Sequence, residues 1–300
     1  MATAAEAVRA GVARRESAAT KVARAASRAP VHLFLLFIGL LWLVPTAGLF
    51  VISIYDPGLS ASEGWWNIFS HPSVATLDNY RAFFDNSDLV AAIKITAMVT
   101  IGATILPVLV AALAGYAFAW IEFPGRDWFF IGVITLLALP IQMALIPIYK
   151  LYGADIFGFK LYDTVIGLIL FHTAFALPFA IFLLRNFFIG IPKDLMEAAR
   201  IDGASELGIF FKLILPLGLP AVASLAIFQV LFVWNDLLVG LTLAADNRPL
   251  APVISQQLRQ FGSNLDVIAP AAFFSLVIPL TIFLAFQRYF VQGLLAGSVK

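Results

Sequence analysis

The chain has 300 residues, of which 61% are hydrophobic and 12% charged, and a mean hydropathy of +0.94. A soluble domain carries about 25% charged residues, so too little polar surface exists here to cover a water-soluble globule, and lipid must be the solvent for most of the chain. The net charge of +1 argues against a nucleic-acid binder, and the absence of cysteine excludes disulfides and thiolate metal sites.

Residues 1–30 form a basic, Ala-rich leader with Arg9, Arg14, Arg15, Lys21, Arg24 and Arg28. It is read as a cytoplasmic segment rather than a signal peptide, because the apolar run that follows exceeds the usual h-region. Six segments then have the roughly 20 apolar residues a spanning helix needs: about 31–54, 90–119, 128–150, 161–185, 217–240 and 267–290. The reading is an all-α integral membrane protein with a six-helix domain over 31–290 and a short tail over 291–300. Pro45, Pro107, Pro140, Pro147, Pro178 and Pro279 fall inside these spans and predict kinks.

Orientation follows from the basic residues of the loops. With the N-terminus inside, thirteen Lys and Arg lie on the inner side and six on the outer, which sets both termini in the cytoplasm. The outer segment 55–89 carries Trp65 and Trp66, expected at headgroup level, and the acids Asp78, Asp85 and Asp88. The outer segment 241–266 is polar and reads as a solvated connection or as a loop that reaches a soluble partner.

The inner segment between the fourth and fifth spans is the most informative. Residues 197–216 read EAARIDGASELGIFFKLILP. Pro192 can open a helix as its first residue, with Asp194 near the positive end of its dipole. Glu197, Arg200, Ile201 and Ala204 share one face, and Ala198 and Ala199 keep the surface low. Gly203 can take the left-handed conformation that ends a helix, and Ser205 can cap the next. Pro216 marks entry into the fifth span. A helix, a sharp bend and a second helix into the membrane are predicted over 190–216. The bland alternative is an amphipathic helix lying on the bilayer.

This pattern resembles the EAA motif of permease subunits of ATP-binding-cassette importers, with Glu197, Ala198, Ala199, Gly203, Leu215 and Pro216 at the motif's positions. Leu213 stands where isoleucine is common. Phe123-Pro124-Gly125-Arg126, Trp234-Asn235-Asp236 and the tail from Gln287 to Lys300 are similar to the carbohydrate (maltose-type) group and its smaller permease. Gly64-Trp65-Trp66 and Thr76-Leu77-Asp78-Asn79-Tyr80 look most like α-glucoside permeases. The resemblance implies a type I permease fold and a cytoplasmic coupling loop that docks on an ATPase through Glu197, Ala198, Ala199, Arg200, Asp202, Gly203 and Pro216. It also implies a homologous second permease, two ATPase subunits that bind ATP and Mg, an extracytoplasmic sugar-binding protein, and a bacterial or archaeal cytoplasmic membrane. No cofactor, metal or catalytic residue is expected in this chain, and no nucleic-acid partner.

Polar residues within the spans are candidates for the translocation path: Gln142, His172, Thr173, Gln229, Asn235 and Asp236. Interhelical hydrogen bonds are the alternative for His172, Thr173 and Gln142. Asp236, some 20 residues beyond Pro216, is placed near the outer interface in a structural or gating role, with proton coupling as the alternative. A secondary transporter would show repeated broken helices and intramembrane ions, and neither is evident. An intramembrane enzyme lacks support: there is no H-E-x-x-H, and His32, His71 and His172 are scattered. No G-x-x-x-x-G-K-[ST] phosphate loop occurs, so ATP hydrolysis is assigned to a partner.

Overall fold

The computed structural model describes residues 18–60, 64–154, 158–261 and 265–296. The tail over 291–300 and the leader over 1–30 lie partly outside the described residues. Among the described residues, five helices are long and apolar enough to cross a membrane: α1 (Ala18–Ser53), α3 (Ser87–Trp120), α6 (Val165–Ile189), α8 (Glu206–Trp234) and α11 (Leu265–Ala296). A bent pair, α4 (Arg126–Thr135, continued by a tight turn to Ala138) and α5 (Ile141–Gly153), meets at 97° and is together long and apolar enough to count as a sixth. Shorter helices are α2 (Asp78–Asp85), α7 (Lys193–Ile201), α9 (Leu238–Leu243) and α10 (Leu250–Phe261). Among the described residues there is no strand, only an isolated bridge between Tyr55 and Ala75.

Local chemistry sets the helix starts. The Asn86 side chain accepts the N–H groups of Asp88 and Leu89, both at 3.1 Å, and opens α3. Thr164 Oγ1 accepts from the Gly167 N–H at 2.9 Å and opens α6. Such caps satisfy N–H groups that have no partner within the helix.

Several expected boundaries move for stated reasons. The third span is broken rather than kinked, because Pro140 denies an N–H to the helix and holds the chain extended (φ −69°, ψ 133°). The fourth span runs over 165–189 rather than 161–185, since Asp163 is drawn into a separate contact and Thr164 caps the helix. The fifth ends at Trp234 rather than near 240, because Asp236 accepts the N–H groups of Val239 and Gly240, both at 3.1 Å, and so starts α9. Pro192 is the residue before α7, not its first residue. The helix entering the fifth span begins at Glu206 and runs through Pro216 without a stop. A single π turn over Phe210–Ile214 accommodates the missing N–H. The segment 241–266 is not a plain connection: it holds α10, whose Leu250 is fully buried.

The helices pack around α3 and α6, which run side by side; α8 lies against both, and α11 packs on α8 and α1. Small residues permit the close approach. A methyl on Gly218 would meet Phe188 at 2.5 Å, and one on Gly115 would meet the Arg185 backbone at 3.0 Å. The inner core holds Tyr116, Leu184, Phe188, Met196, Ile209, Phe210 and Ile214. A second core, at the opposite end of the bundle from the 190–216 bend, holds Val99, Leu168, Phe171, Val233 and Leu243. In contrast, among the described side chains α1 is buried on the bundle only toward its C-terminal end, at Gly48, Val51 and Ser53, and its apolar window is 11% buried.

One pairing explains a residue flagged in the sequence. Pro279 in α11 cannot donate to the carbonyl one turn before it, that of Ser275. The Trp234 indole N–H supplies the missing donor at 2.9 Å, which staples α8 to α11. Trp234→Phe leaves that half-buried carbonyl without its indole partner. The expected cost is about 1–2 kcal/mol, read as a lower melting temperature of the purified protein in detergent.

Candidate functional site

The bend at 190–216 is built from both sides. Met196, fully buried, anchors α7 in the inner core beside Tyr116 and Phe210. Gly203 follows at φ +79°, with open space where a Cβ would stand. Ser205 Oγ accepts the Gly208 N–H at 3.2 Å and caps α8. The predicted left-handed glycine and serine cap are thus both present. Ala198, Ala199, Asp202, Ser205 and Lys212 line a shallow groove of about 380 Å³ between the two arms of the bend.

The coupling candidates do not all share one set of contacts. Glu197 is exposed and pairs with Lys193 at 3.0 Å. Asp202 is exposed in the groove, whereas Pro216 lies within the continuous helix α8. Arg200 turns back onto the protein. Its Nε donates to Glu206 Oε1 at 3.0 Å and its Nη2 to the Trp120 carbonyl at 3.1 Å. The hydrogen bond to Glu206 pushes the Arg200 guanidinium further up from its ordinary value. The Tyr116 hydroxyl donates to the other Glu206 oxygen at 2.5 Å, and the Trp120 indole N–H donates to the Phe188 carbonyl at 3.0 Å. Tyr116 and Glu206 were not singled out from sequence; their 90-residue separation leaves no local signal.

The intramembrane candidates divide. His172, Thr173 and Gln229 are buried, and His172 Nδ1, Thr173 Oγ1 and Gln229 Nε2 have no partner among the described residues. Thr100 and Thr104 of α3 are likewise unpartnered at their hydroxyls. His172 Nε2 stands 3.8 Å from Asp236 Oδ2. Asn235 is exposed and returns its amide to the Leu231 carbonyl at 2.8 Å, while Gln142 is exposed in the first turn of α5. His172 and Asp236 are therefore brought together, and Asn235 and Gln142 are turned to the surface.

A second feature lay outside the sequence reading. Asp163 Oδ1 accepts three successive backbone N–H groups, from Ala245 at 2.8 Å, Asp246 at 3.0 Å and Asn247 at 2.9 Å. Its own carbonyl accepts from the Asn247 amide at 2.8 Å, and its N–H donates to the Leu243 carbonyl at 2.9 Å. Asp163 reaches this geometry at φ +59°. The clasp ties the outer start of α6 to the chain that follows α9. Beyond it a polar cavity of about 570 Å³ opens between Asp88, Ala92, Asp246, Arg248, Gln256 and Gln257.

Residues 108–296 match the family described as binding-protein-dependent transport system inner membrane component. The chain is 44% identical over 277 residues to the osmoprotective compounds uptake permease protein GgtD of Synechocystis sp., covering 90% of this chain and 92% of that one. It is 43% identical over 253 residues to the alpha-glucoside transport system permease protein AglG of Rhizobium meliloti, covering 82% and 67%. Its fold resembles a chain in the crystal structure of a bacterial ABC transporter that imports the acidic polysaccharide alginate, with a TM-score of 0.73 at 20% identity, covering 91% and 98%. These matches set aside the secondary-transporter alternative. With its long apolar helices and the match over residues 108–296, the chain belongs to the family of binding-protein-dependent transport system inner membrane components, the multi-pass permease subunits of ATP-binding-cassette importers.

Proposed function

We propose that this permease imports a sugar or oligosaccharide, with an α-glucoside as the first candidate. It works beside a homologous second permease, two ATPase subunits that carry ATP and Mg, and an extracytoplasmic binding protein. The names of the relatives support the substrate class: alpha-glucosides for AglG, arabinooligosaccharides for AraQ of Bacillus subtilis and trehalose for SugB of Mycobacterium tuberculosis. The observation that carries the coupling reading is the bend itself. It combines a buried anchor at Met196, a free left-handed hinge at Gly203 and a low groove lined by Ala198, Ala199 and Asp202. Closure of the ATPases on ATP pulls α7, and the displacement enters the membrane through α8. Full complexes in lipid vesicles should take up radiolabelled α-glucosides only with ATP and the loaded binding protein. Uptake driven by an ion gradient without ATP would overturn the reading.

The proposed orientation puts both termini and the 190–216 bend in the cytoplasm. A cysteine at Ser205 should then be shielded from impermeant thiol reagents added outside intact cells, and one at Ser70 should label. The reverse pattern would sink the topology.

A further inference from the structure

We infer that Glu206, gripped between Arg200 and Tyr116, is the positioning residue that passes displacement of α7 into α3 as well as into α8. The inference rests on the reading of 190–216 as the ATPase-docking loop and extends it to the path by which force leaves that loop. The loop is continuous in sequence with α6 and α8 only. Between α7 and α8 stands Gly203, in the left-handed region with nothing within 4 Å of a built Cβ. The Gly203 and Ala204 N–H groups donate to the Arg200 and Ala199 carbonyls, both at 3.0 Å, but these bonds belong to the end of α7 and neither reaches α8. Arg200 lies in the last turn of α7 and Glu206 in the first turn of α8, and their contact at 3.0 Å braces the hinge from one side to the other.

The brace continues into α3, which has no chain connection to the bend. The Tyr116 hydroxyl reaches Glu206 at 2.5 Å, and Arg200 Nη2 reaches the Trp120 carbonyl at 3.1 Å, so two successive turns of α3 are held. The Trp120 indole carries the tie onward to Phe188 of α6 at 3.0 Å. Arg200 and Glu206 are each near half exposed, and an exposed ion pair alone contributes little. Tyr116 is different: it is 4% exposed and its ring packs on Phe210 at 5.4 Å, so its hydroxyl position is fixed by the core. A hydrogen bond to an ionised carboxylate is stronger than a neutral one. The network therefore has one rigid end in α3 and one end on each side of the hinge.

The test uses the complete importer with Tyr116→Phe, Glu206→Gln and the double variant. Each variant should retain its ATPase subunits at wild-type stoichiometry. Stimulation of ATP hydrolysis by the loaded binding protein should fall about fivefold or more, the lower end of usual coupling energies. The double variant should be no worse than the more affected single one, as expected for two groups in one network. Unchanged stimulation, or losses that simply add, would overturn the inference. So would loss of ATPase subunits from either single variant, which would make Glu206 or Tyr116 a docking residue. Glu197→Lys run in parallel reports on the docking reading by itself, because Glu197 is outside this network.

Discussion

Asp163→Ala should destabilise the purified protein by about 3 kcal/mol, the largest effect of any single side-chain truncation near the outer surface. Three backbone N–H groups converge on one carboxylate oxygen of Asp163. Alanine leaves them without a protein partner and also loses the tolerance for positive φ that Asp and Asn share. Asp163→Asn keeps an acceptor oxygen and that tolerance, so its cost should be less than half as large. Melting temperatures in lipid nanodiscs would separate the two. Equal effects of Ala and Asn would mean that the clasp contributes nothing beyond the backbone bond to Leu243.

Gly203→Val should lower binding-protein-stimulated ATP hydrolysis about tenfold while the membrane helices stay folded. No neighbour would collide with the new side chain, so the whole effect comes from the backbone. A β-branched residue at φ +79° is strained by about 1–3 kcal/mol. The chain relieves that strain by turning α7 away from its present direction. Gly203→Asn, which enters the left-handed region more readily, should retain most of the stimulation. Glu197→Lys should also lose stimulation, since it reverses an exposed charge and sets it against Lys193 one turn away. Full stimulation in the Val and Lys variants would refute the coupling role of the bend.

The two predictions rest on features of unequal visibility in the sequence. The bend was legible because its parts are local: a glycine that ends a helix and a serine that caps the next are neighbours in the chain. The spans were legible because lipid demands long apolar runs, and hydropathy measures that demand directly. The Asp163 clasp was not, since nothing near Asp163 announces that the amides of 245–247 will fold over it. Tyr116 and Glu206 were hidden for the same reason. The break at Pro140 was half visible: the proline was flagged as a kink, but its 97° angle depends on what packs on either side. Trp234 was noted as part of a resemblance, and its physical reason came only with the freed carbonyl of Ser275.

The broken span has a consequence for biogenesis. Its arms, Arg126–Ala138 and Ile141–Gly153, are each about 20 Å long at 1.5 Å per residue, against a hydrocarbon core of about 30 Å. Neither arm can stop translocation as an independent helix. The corner between them also interrupts the helical ladder at Pro140, which lipid alone does not stabilise. This stretch therefore has no stable resting place in the bilayer until α6 has emerged from the ribosome, and the two should leave the insertion machinery together, as one unit.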